Sequence, residues 1–261
     1  MNIIQAIILG IVQGLTEFLP VSSSGHIELG KVLLNTENVG IDFSILVHIA
    51  TALSTVIVFR KDIAQLLVSI IRLQREYIEY AAKLILSAVP VGIVGLAFKD
   101  ELEVLFEGRI VLVGCMLLIT ALLLFLTTRV RTSEKPVGFG EAIIIGLAQM
   151  VAILPGISRS GATIATALLL KVDRSQAAKF SFLMVLIPIF GEALLDIVDM
   201  AKGEAVWSMG TDIALAGFLS AFISGLFACT FMLRIVKGGK LYYFSIYCVI
   251  IGIIAIIAGL A

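Results

Sequence analysis

Two related polar segments interrupt long apolar runs of this chain, and they constrain its fold more than any other feature. The first covers residues 10–26 (GIVQGLTEFLPVSSSGH) and the second covers residues 146–163 (GLAQMVAILPGISRSGAT). Each contains a proline and small polar residues, which end helices and form turns. A shift of 136 positions, or 135 at the Leu-Pro pair, aligns the residues that they share: Gly10 with Gly146, Gln13 with Gln149, Ser22 with Ser158, Ser24 with Ser160 and Gly25 with Gly161. We predict an internal duplication whose two breaks meet in the folded protein.

The apolar runs themselves indicate a membrane protein. Hydrophobic residues make up 60% of the 261 residues and charged residues only 15%, whereas a soluble domain carries about 25% charged residues. Several continuous runs of roughly 20 apolar residues are long enough to cross a bilayer, unlike the short alternating segments of an outer-membrane barrel. The three cysteines all lie in such runs, which favours buried thiols over disulfides or a metal site. We therefore predict an all-α polytopic membrane protein.

The periodicity divides the chain into two similar halves, at about 1–135 and 136–261, within a single membrane domain. About six transmembrane helices are expected, together with two re-entrant helix-loop-helix pairs built around the polar segments. The first half is predicted to contain helices at 3–19, 26–34 and 43–59, an amphipathic surface helix at 62–80, and spans at 82–98 and 110–128. The second half is predicted to contain helices at 139–154 and 162–171 and spans at 179–198, 213–233 and 242–260.

Counting the crossings predicts an inverted-topology repeat. A re-entrant pair returns to its starting side and three spans then cross an odd number of times, so the second half is inverted relative to the first. The segments 60–83, 129–135, 171–179 and 234–240 carry 14 of the 19 Lys and Arg residues, and the opposite side carries four. The positive-inside rule puts the basic side in the cytoplasm and both termini outside the plasma (inner) membrane. If helix 3–19 spans instead, only the N-terminus changes side.

Arg159 is the one basic residue that this topology assigns to neither side. An arginine at membrane depth is costly and indicates function. Backbone N–H groups at a helix start, a guanidinium and nearby hydroxyls together suit a phosphate anion. The alternative is a Pro-Gly hinge with small residues packed between helices, which explains the serines but leaves the arginine unexplained. The expected anion ligands around Arg159 are Gly156, Ser158, Ser160 and Thr163.

Glu17 and Gln13 lie one helical turn apart on the same helix face. Glu17 has two interpretations: a simple ion pair with Arg159, or a ligand of a divalent metal or a general base. His26 directly follows the serine-rich turn and is either a general acid/base or nucleophile, or a helix-capping residue. His48 has no charged neighbour in sequence and is expected to be structural or supporting. Glu192 is expected either to line the cavity or to lie near the outer helix end.

These two segments resemble the signature motifs of the bacitracin-resistance type undecaprenyl-diphosphate phosphatases. Residues 13–26 (QGLTEFLPVSSSGH) are similar to a Glu/Gln-x-x-x-Glu pattern followed by a serine-rich turn and Gly-His. Residues 155–163 (PGISRSGAT) match Pro-Gly-x-Ser-Arg-Ser-x-x-Thr, and residues 180–183 (FSFL) followed by Pro188 match a third pattern. The resemblance covers essentially the whole chain.

The resemblance implies a membrane enzyme that removes one phosphate from undecaprenyl diphosphate with a divalent metal, Mg²⁺ or Ca²⁺. It implies metal or substrate binding by Glu17 and Gln13 and grip of the diphosphate by Arg159. The implied catalytic candidates are Glu17, Ser23, His26, Ser158 and Arg159, and the expected substrate-binding set adds Ser22, Ser24, Gln149, Gly156, Ser160 and Thr163.

Two mechanisms and two function classes stay open at this stage. Either His26 activates a water, or a serine attacks phosphorus with His26 or Glu17 as base. The rival to a phosphatase is a polyprenyl-phosphate transporter that uses the inverted repeat for alternating access. The expected partners are a polyprenyl diphosphate lipid and the bilayer, with no nucleic acid, and the small residues in the spans permit a homodimer.

Overall fold

The computed structural model describes residues 1–36, 41–98, 109–130, 133–202 and 209–260. Most of the predicted acidic loop at 99–109 therefore lies outside the described residues. The described part of the chain is built from α-helices, which we number in chain order: α1 Ile3–Phe18, α2 Ser23–Leu33, α3 Ile41–Val58, α4 Arg60–Ile71, α5 Arg75–Ala97, α6 Ile110–Leu126, α7 Phe139–Val151, α8 Arg159–Leu169, α9 Arg174–Met184, α10 Leu186–Lys202, α11 Thr211–Lys237 and α12 Tyr242–Leu260.

The predicted class, an all-α polytopic membrane protein, is confirmed. Among the described residues, five helical segments are long and apolar enough to cross a membrane: Arg75–Ala97, Ile110–Arg129, Arg174–Leu195, Thr211–Lys237 and Tyr242–Leu260. A sixth candidate is the pair formed by α3 and α4, which is bent by 74° at the junction between them. The shorter apolar helices α1 and α7 begin the two polar segments, as expected for re-entrant pairs.

Corresponding helices of the two halves make corresponding packing contacts. Helix α1 packs against α11, and α7 packs against α5. Likewise α3 packs against α11, while α9 and α10 pack against α5, and α6 packs against α12. Exchanging the two halves turns each of these contacts into another contact of the set, or into itself for α6 and α12, as a duplicated chain would produce. The opposite orientation of the halves in the membrane stays a prediction.

Two glycines that the sequence alignment pairs lie at close helix contacts of this set. A Cβ on Gly10 would lie 2.5 Å from the Gly217 carbonyl oxygen of α11. A Cβ on Gly146 would lie 2.5 Å from the Ser87 carbonyl oxygen of α5. Each polar segment therefore starts on a helix that lies directly against the backbone of a span from the other half.

The prediction of one amphipathic helix at 62–80 is wrong. Helix α4 ends at Ile71 and the chain turns before α5 begins at Arg75. Leu73 adopts a φ of 53°, and the Gln74 N–H returns to the Ser69 carbonyl at 3.0 Å. This is the hydrogen-bonding pattern of a left-handed helix C-cap, which usually contains glycine. Because leucine occupies the position, the sequence carries no visible stop signal.

The predicted span at 179–198 overlaps the candidate span Arg174–Leu195, which has a local break at one residue. Helix α9 ends at Met184 and α10 starts at Leu186. Pro188 follows the break and has no N–H to donate to Met184, the carbonyl four residues earlier, so the helix ladder is interrupted here. Pro90, in contrast, lies within the continuous helix α5. A proline position alone therefore did not predict which span would break.

The basic segments assigned to one side of the membrane contact one another. The Lys179 ammonium donates to Asp62 at 2.5 Å, which joins α9 to the start of α4. The Asp173 N–H donates to the Lys135 carbonyl at 2.9 Å. All four residues belong to segments predicted to face the cytoplasm. The contacts are therefore consistent with the grouping that the charge count produced.

The close approach of α7 to α5 predicts a strong effect of one added methyl group. Gly146→Ala should lower the free energy of unfolding by roughly 1–3 kcal/mol, because the methyl has no space against the Ser87 backbone. Gly140→Ala in the same helix is the matched control, since its Cβ would meet no atom within 4 Å. The apparent Tm of each purified variant in detergent measures the difference, and equal Tm values would contradict the packing.

Candidate active site

Each polar segment ends in a helix that a serine caps. Ser22 precedes α2, and its hydroxyl accepts a hydrogen bond from the Gly25 N–H at 3.3 Å. Ser158 precedes α8, and its hydroxyl accepts from the Gly161 N–H at 3.0 Å. The two helices therefore start three residues earlier than predicted, at 23 rather than 26 and at 159 rather than 162, because serine is a preferred N-cap residue. This start puts Arg159 in the first turn of α8.

The two breaks meet, as the sequence predicted, and share hydrogen bonds. The Ser22 hydroxyl also accepts from the Gly156 N–H at 3.2 Å. Ser22 and Gly156 both have positive φ, of 70° and 99°, and for serine this backbone is strained. The Ser160 hydroxyl donates to the Leu19 carbonyl at 3.3 Å. Direct bonds between segments 134 to 141 residues apart thus fix the start of each short helix against the other half.

Helix α6 supports the second break from behind. The Thr120 hydroxyl accepts from the Ser158 N–H at 3.0 Å and donates to the Gly156 carbonyl at 3.1 Å. The backbone N–H groups of Gly156 and Ser158, and the Gly156 carbonyl, therefore already have hydrogen-bond partners within the protein. Their predicted role as direct phosphate ligands is correspondingly less supported than their role in holding the loop.

The contact between Glu17 and Arg159 that the sequence predicted is present. One Nη of Arg159 lies 3.1 Å from Oε1 of Glu17, across the interface of the two halves. The Glu17 side chain is only 7% exposed and the Arg159 side chain is 24% exposed. The carboxylate is thus almost completely buried, while the guanidinium keeps part of its surface free for another anion.

The other carboxylate oxygen of Glu17 binds two side chains. The Ser23 hydroxyl donates to Oε2 at 2.5 Å, and Nε2 of Gln13 donates to it at 3.0 Å. Ser23 lies at the start of α2 and is itself buried. A serine that donates to a buried carboxylate has the arrangement of a nucleophile and its general base. The Glu17 carboxylate therefore connects the arginine, the serine and the glutamine in one cluster.

A small cavity of about 20 Å³ opens beside this cluster. Gln149 and Ser181 lie on its wall, and the polar atoms of both side chains are buried without a hydrogen-bond partner among the described residues. Oε1 of Gln13 is in the same condition. Buried polar groups normally have partners, so these atoms remain available to a ligand. Among the described residues, the lining is formed by Glu17, Phe18, Thr51, Ala52, Thr55, Gln149, Arg159, Ser160, Thr163, Ser181, Phe182, Val185 and Ile189.

His26 has different partners from the Glu17 cluster. Its Nδ1 lies 2.8 Å from the Ser22 carbonyl, and its Nε2 lies 2.7 Å from the Tyr247 hydroxyl of α12. Because a carbonyl only accepts, Nδ1 carries a proton and a neutral ring accepts from Tyr247 through Nε2. Both ring nitrogens are engaged, which favours a structural role for this histidine over the role of a base.

His48 is the residue that the sequence interpretation undervalued. Its Nε2 lies 3.7 Å from Oε2 of Glu17, so α3 brings it to the same cluster. Thr51 and Thr55 follow it on α3 and line the cavity. The spacing of three and seven residues places all three on one helix face. The sequence signal for His48 was this polar stripe on an otherwise apolar helix. Its meaning becomes clear only when the position of Glu17 in space is known.

The remaining predicted residues lie around the two breaks. The Ser24 hydroxyl lies 3.3 Å from that of Ser22, and the Ser158 hydroxyl lies 3.2 Å from that of Ser160. Thr163 lines the cavity and donates to the Arg159 carbonyl at 2.8 Å. Glu192 is not part of the cavity lining. Ser160, Thr163 and Gln149 thus lie beside the cavity, whereas Ser22 and Ser158 serve mainly as helix caps.

The side chains at this site fit a divalent cation that takes some of its ligands from the protein and the others from a substrate. Among the described residues no group of three His, Cys, Asp or Glu side chains could hold a metal alone. Glu17 supplies one carboxylate, and the orphaned Oε1 of Gln13 is a neutral oxygen ligand. Mg²⁺ is commonly bound in this way, through one or two carboxylates together with substrate phosphates.

The similarity of this chain to known proteins agrees with the phosphate-binding site that the geometry indicates. The family model described as Bacitracin resistance protein BacA matches residues 6–254. The chain belongs to the BacA family. It is 49% identical to a protein of Christiangramia forsetii, 48% to one of Parabacteroides distasonis and 47% to one of Bacteroides fragilis. The alignments cover 97–98% of this chain and of each relative, and all three relatives are named undecaprenyl-diphosphatase.

The buried pair predicts strong coupling between Glu17 and Arg159 in stability. Arg159→Gln should cost about 3–5 kcal/mol, because it leaves a buried carboxylate without its cation. Glu17→Gln combined with Arg159→Gln should cost less than Arg159→Gln alone. Arg75→Gln is the control, since Arg75 pairs with Glu79 at the surface and is 92% exposed, where a pair contributes under about 1 kcal/mol. Apparent Tm values in a double-mutant cycle decide, and additive losses would contradict the coupling.

Proposed function

We propose that this BacA-family protein is an undecaprenyl-diphosphate phosphatase. It hydrolyses undecaprenyl diphosphate to undecaprenyl phosphate and inorganic phosphate, which recycles the lipid carrier for cell-wall synthesis and confers bacitracin resistance. The full-length similarity to proteins named undecaprenyl-diphosphatase supports this activity. The observation that carries the proposal is the Ser23–Glu17–Arg159 cluster, in which a hydroxyl, a buried base and a cation converge where the two halves meet.

The cluster suggests how the phosphoryl group is transferred. Arg159 is partly exposed and binds the terminal phosphate through its free N–H groups. Ser23 attacks the terminal phosphorus while its proton passes to Glu17 Oε2, the atom to which it already donates. The bond between phosphorus and the bridging oxygen breaks, and undecaprenyl phosphate leaves. Water then attacks the phosphorus of the phosphoserine, the Ser23 oxygen leaves and takes the proton back from Glu17, and phosphate is released. Direct attack by water, with Glu17 as base, is the alternative that the experiment below separates.

A divalent cation, which the family resemblance implies to be Mg²⁺ or Ca²⁺, would be held by Glu17 and Gln13. Diphosphate oxygens would supply further ligands. When bound it would neutralise the negative charge of the diphosphate. The chain's own residues contribute the remaining functions: Arg159 orients the phosphate, Ser160 and Thr163 line the cavity, and Gln149 offers unpaired polar atoms. His26 fixes the start of α2 against Tyr247 of α12.

Names of the relatives favour a phosphatase over a polyprenyl-phosphate transporter. The duplicated architecture suits either class. A nucleophile already hydrogen-bonded to a buried carboxylate serves chemistry and contributes nothing to the passage of a lipid headgroup. We therefore keep transport only as an alternative, which movement of the lipid phosphate without hydrolysis would support.

We place the protein in the plasma (inner) membrane with both termini outside. The charge bias of the loops supports this orientation. Hydrogen bonds between the basic segments, such as that from Lys179 to Asp62, support their position on one common side. A homodimer is compatible with the exposed apolar faces of the spans. Labelling of a single cysteine introduced at Lys135, in a variant that lacks Cys115, Cys229 and Cys248, should then require a membrane-permeant reagent.

Phosphate release from undecaprenyl diphosphate by the purified protein in detergent tests the proposed activity. Ser23→Ala should lower kcat by about 100-fold or more, because both the nucleophile and its bond to Glu17 are lost. Ser24→Ala removes the neighbouring hydroxyl, which contacts Ser22 rather than Glu17, and should stay within about tenfold of the parent protein. Acid-quenched reactions analysed by mass spectrometry should show phosphate on Ser23.

The same assay separates the alternatives. Near-parental turnover by Ser23→Ala would contradict serine attack and favour water. Absence of phosphate release from the intact, monodisperse parent protein, together with movement of undecaprenyl phosphate across liposomes, would contradict the phosphatase and favour the transporter.

A further inference from the structure

His48 presents a nitrogen lone pair to the Glu17 cluster. Its Nδ1 lies 2.7 Å from the Ser44 carbonyl one turn earlier on α3. A carbonyl only accepts hydrogen bonds, so Nδ1 carries the proton, and the Nε2 atom of the neutral ring is a free acceptor. This acceptor points towards Oε2 of Glu17, which is another acceptor. Two acceptors that face each other in a buried site are unfavourable unless a proton, a water molecule or a cation lies between them.

The separation of these two atoms is too long for a direct hydrogen bond. A charge-assisted hydrogen bond between imidazolium and carboxylate would span about 2.7–2.9 Å, whereas the distance is 3.7 Å. Two ligands that each lie about 2.1 Å from one metal ion are separated by roughly 3.0–4.2 Å, depending on the angle at the metal. The observed distance falls in the second range.

Gln13 supplies an independent indication of a ligand at this position. Its side chain is fully buried, and its Nε2 contacts the same Glu17 oxygen at 3.0 Å. Its Oε1 has no hydrogen-bond partner among the described residues. A buried amide oxygen without a partner is costly, and it is a suitable neutral ligand for a divalent cation.

We infer that His48 is a direct ligand of the divalent cation, together with Glu17 and Gln13. This inference rests on the divalent cation of the proposed function and adds a nitrogen ligand from α3 to the oxygen ligands of α1. Diphosphate oxygens and water complete the coordination. Ca²⁺ takes six to eight oxygen ligands, whereas Mn²⁺, as a first-row divalent metal, accepts an imidazole nitrogen beside oxygen ligands. A mixed nitrogen and oxygen site therefore binds Mn²⁺ more tightly than Ca²⁺.

The test uses Mn²⁺ as a spectroscopic probe of the tag-free, full-length protein in detergent. Pulsed electron paramagnetic resonance detects nitrogen that is directly bound to Mn²⁺. The chain contains only two histidines, so His26→Gln is a matched control. The parent protein and His26→Gln should show imidazole ¹⁴N coupling, and His48→Gln should lose it and bind Mn²⁺ at least tenfold more weakly. Ca²⁺ should displace Mn²⁺ only in excess.

Labelling the parent protein with ¹⁵N-histidine makes the test independent of variant folding. The coupling should change from the ¹⁴N to the ¹⁵N pattern, which excludes the Gln13 amide as its source. Bound Mn²⁺ without histidine coupling, or coupling that persists in His48→Gln, would overturn the role of His48 alone. Absence of bound Mn²⁺ from the parent protein, with and without a non-hydrolysable diphosphate, would overturn the proposed cation as well. Phosphate release is measured separately, so the phosphatase activity is judged independently of the cation.

Discussion

A buried carboxylate and a partly buried guanidinium, contributed by opposite halves of the chain, organise the centre of this structure. Glu17 and Arg159 are 142 residues apart in sequence and 3.1 Å apart in space. Either charge alone would be strongly destabilising at membrane depth. Each half of the chain thus depends on the other to neutralise its buried charge, and the breaks in α1–α2 and α7–α8 must meet for the protein to be stable.

Local structure produces this meeting. Serines cap α2 and α8, so that Ser23 and Arg159 occupy first turns and project from helix starts. Glycines allow α1 and α7 to lie against the backbones of α11 and α5. Ser22 then bonds both its own helix and Gly156 of the other break. The partial exposure of Arg159 leaves donors for a phosphate anion, and the Ser23–Glu17 bond supplies a nucleophile at the same place. Stability and chemistry share one set of contacts.

Much of this arrangement was predictable because it depends on local sequence patterns. Apolar run length predicted the spans, and the charges within the two polar segments predicted the contact of Glu17 with Arg159. The duplication stays a prediction. Leu73 in a glycine-like turn was not predictable, because leucine is not a residue type that marks a helix end. The break before Pro188 was not predictable from proline alone, because Pro90 lies within the continuous helix α5. His48 was undervalued because its significance depends on a distance to α1. For His26, adjacency to a motif does not reveal that the Tyr247 hydroxyl lies at its second ring nitrogen.

Arg159, as the group that binds the diphosphate, is the residue on which the proposed mechanism depends most. The most direct measurement is the rate of phosphate release from undecaprenyl diphosphate by purified Arg159→Ala, compared with Ser160→Ala, whose lost hydroxyl bonds the Leu19 carbonyl. Loss of the arginine should reduce kcat/KM by about 1,000-fold, since it removes both the phosphate cation and the partner of Glu17. The serine variant should lose far less. Parental turnover by Arg159→Ala would contradict the central claim.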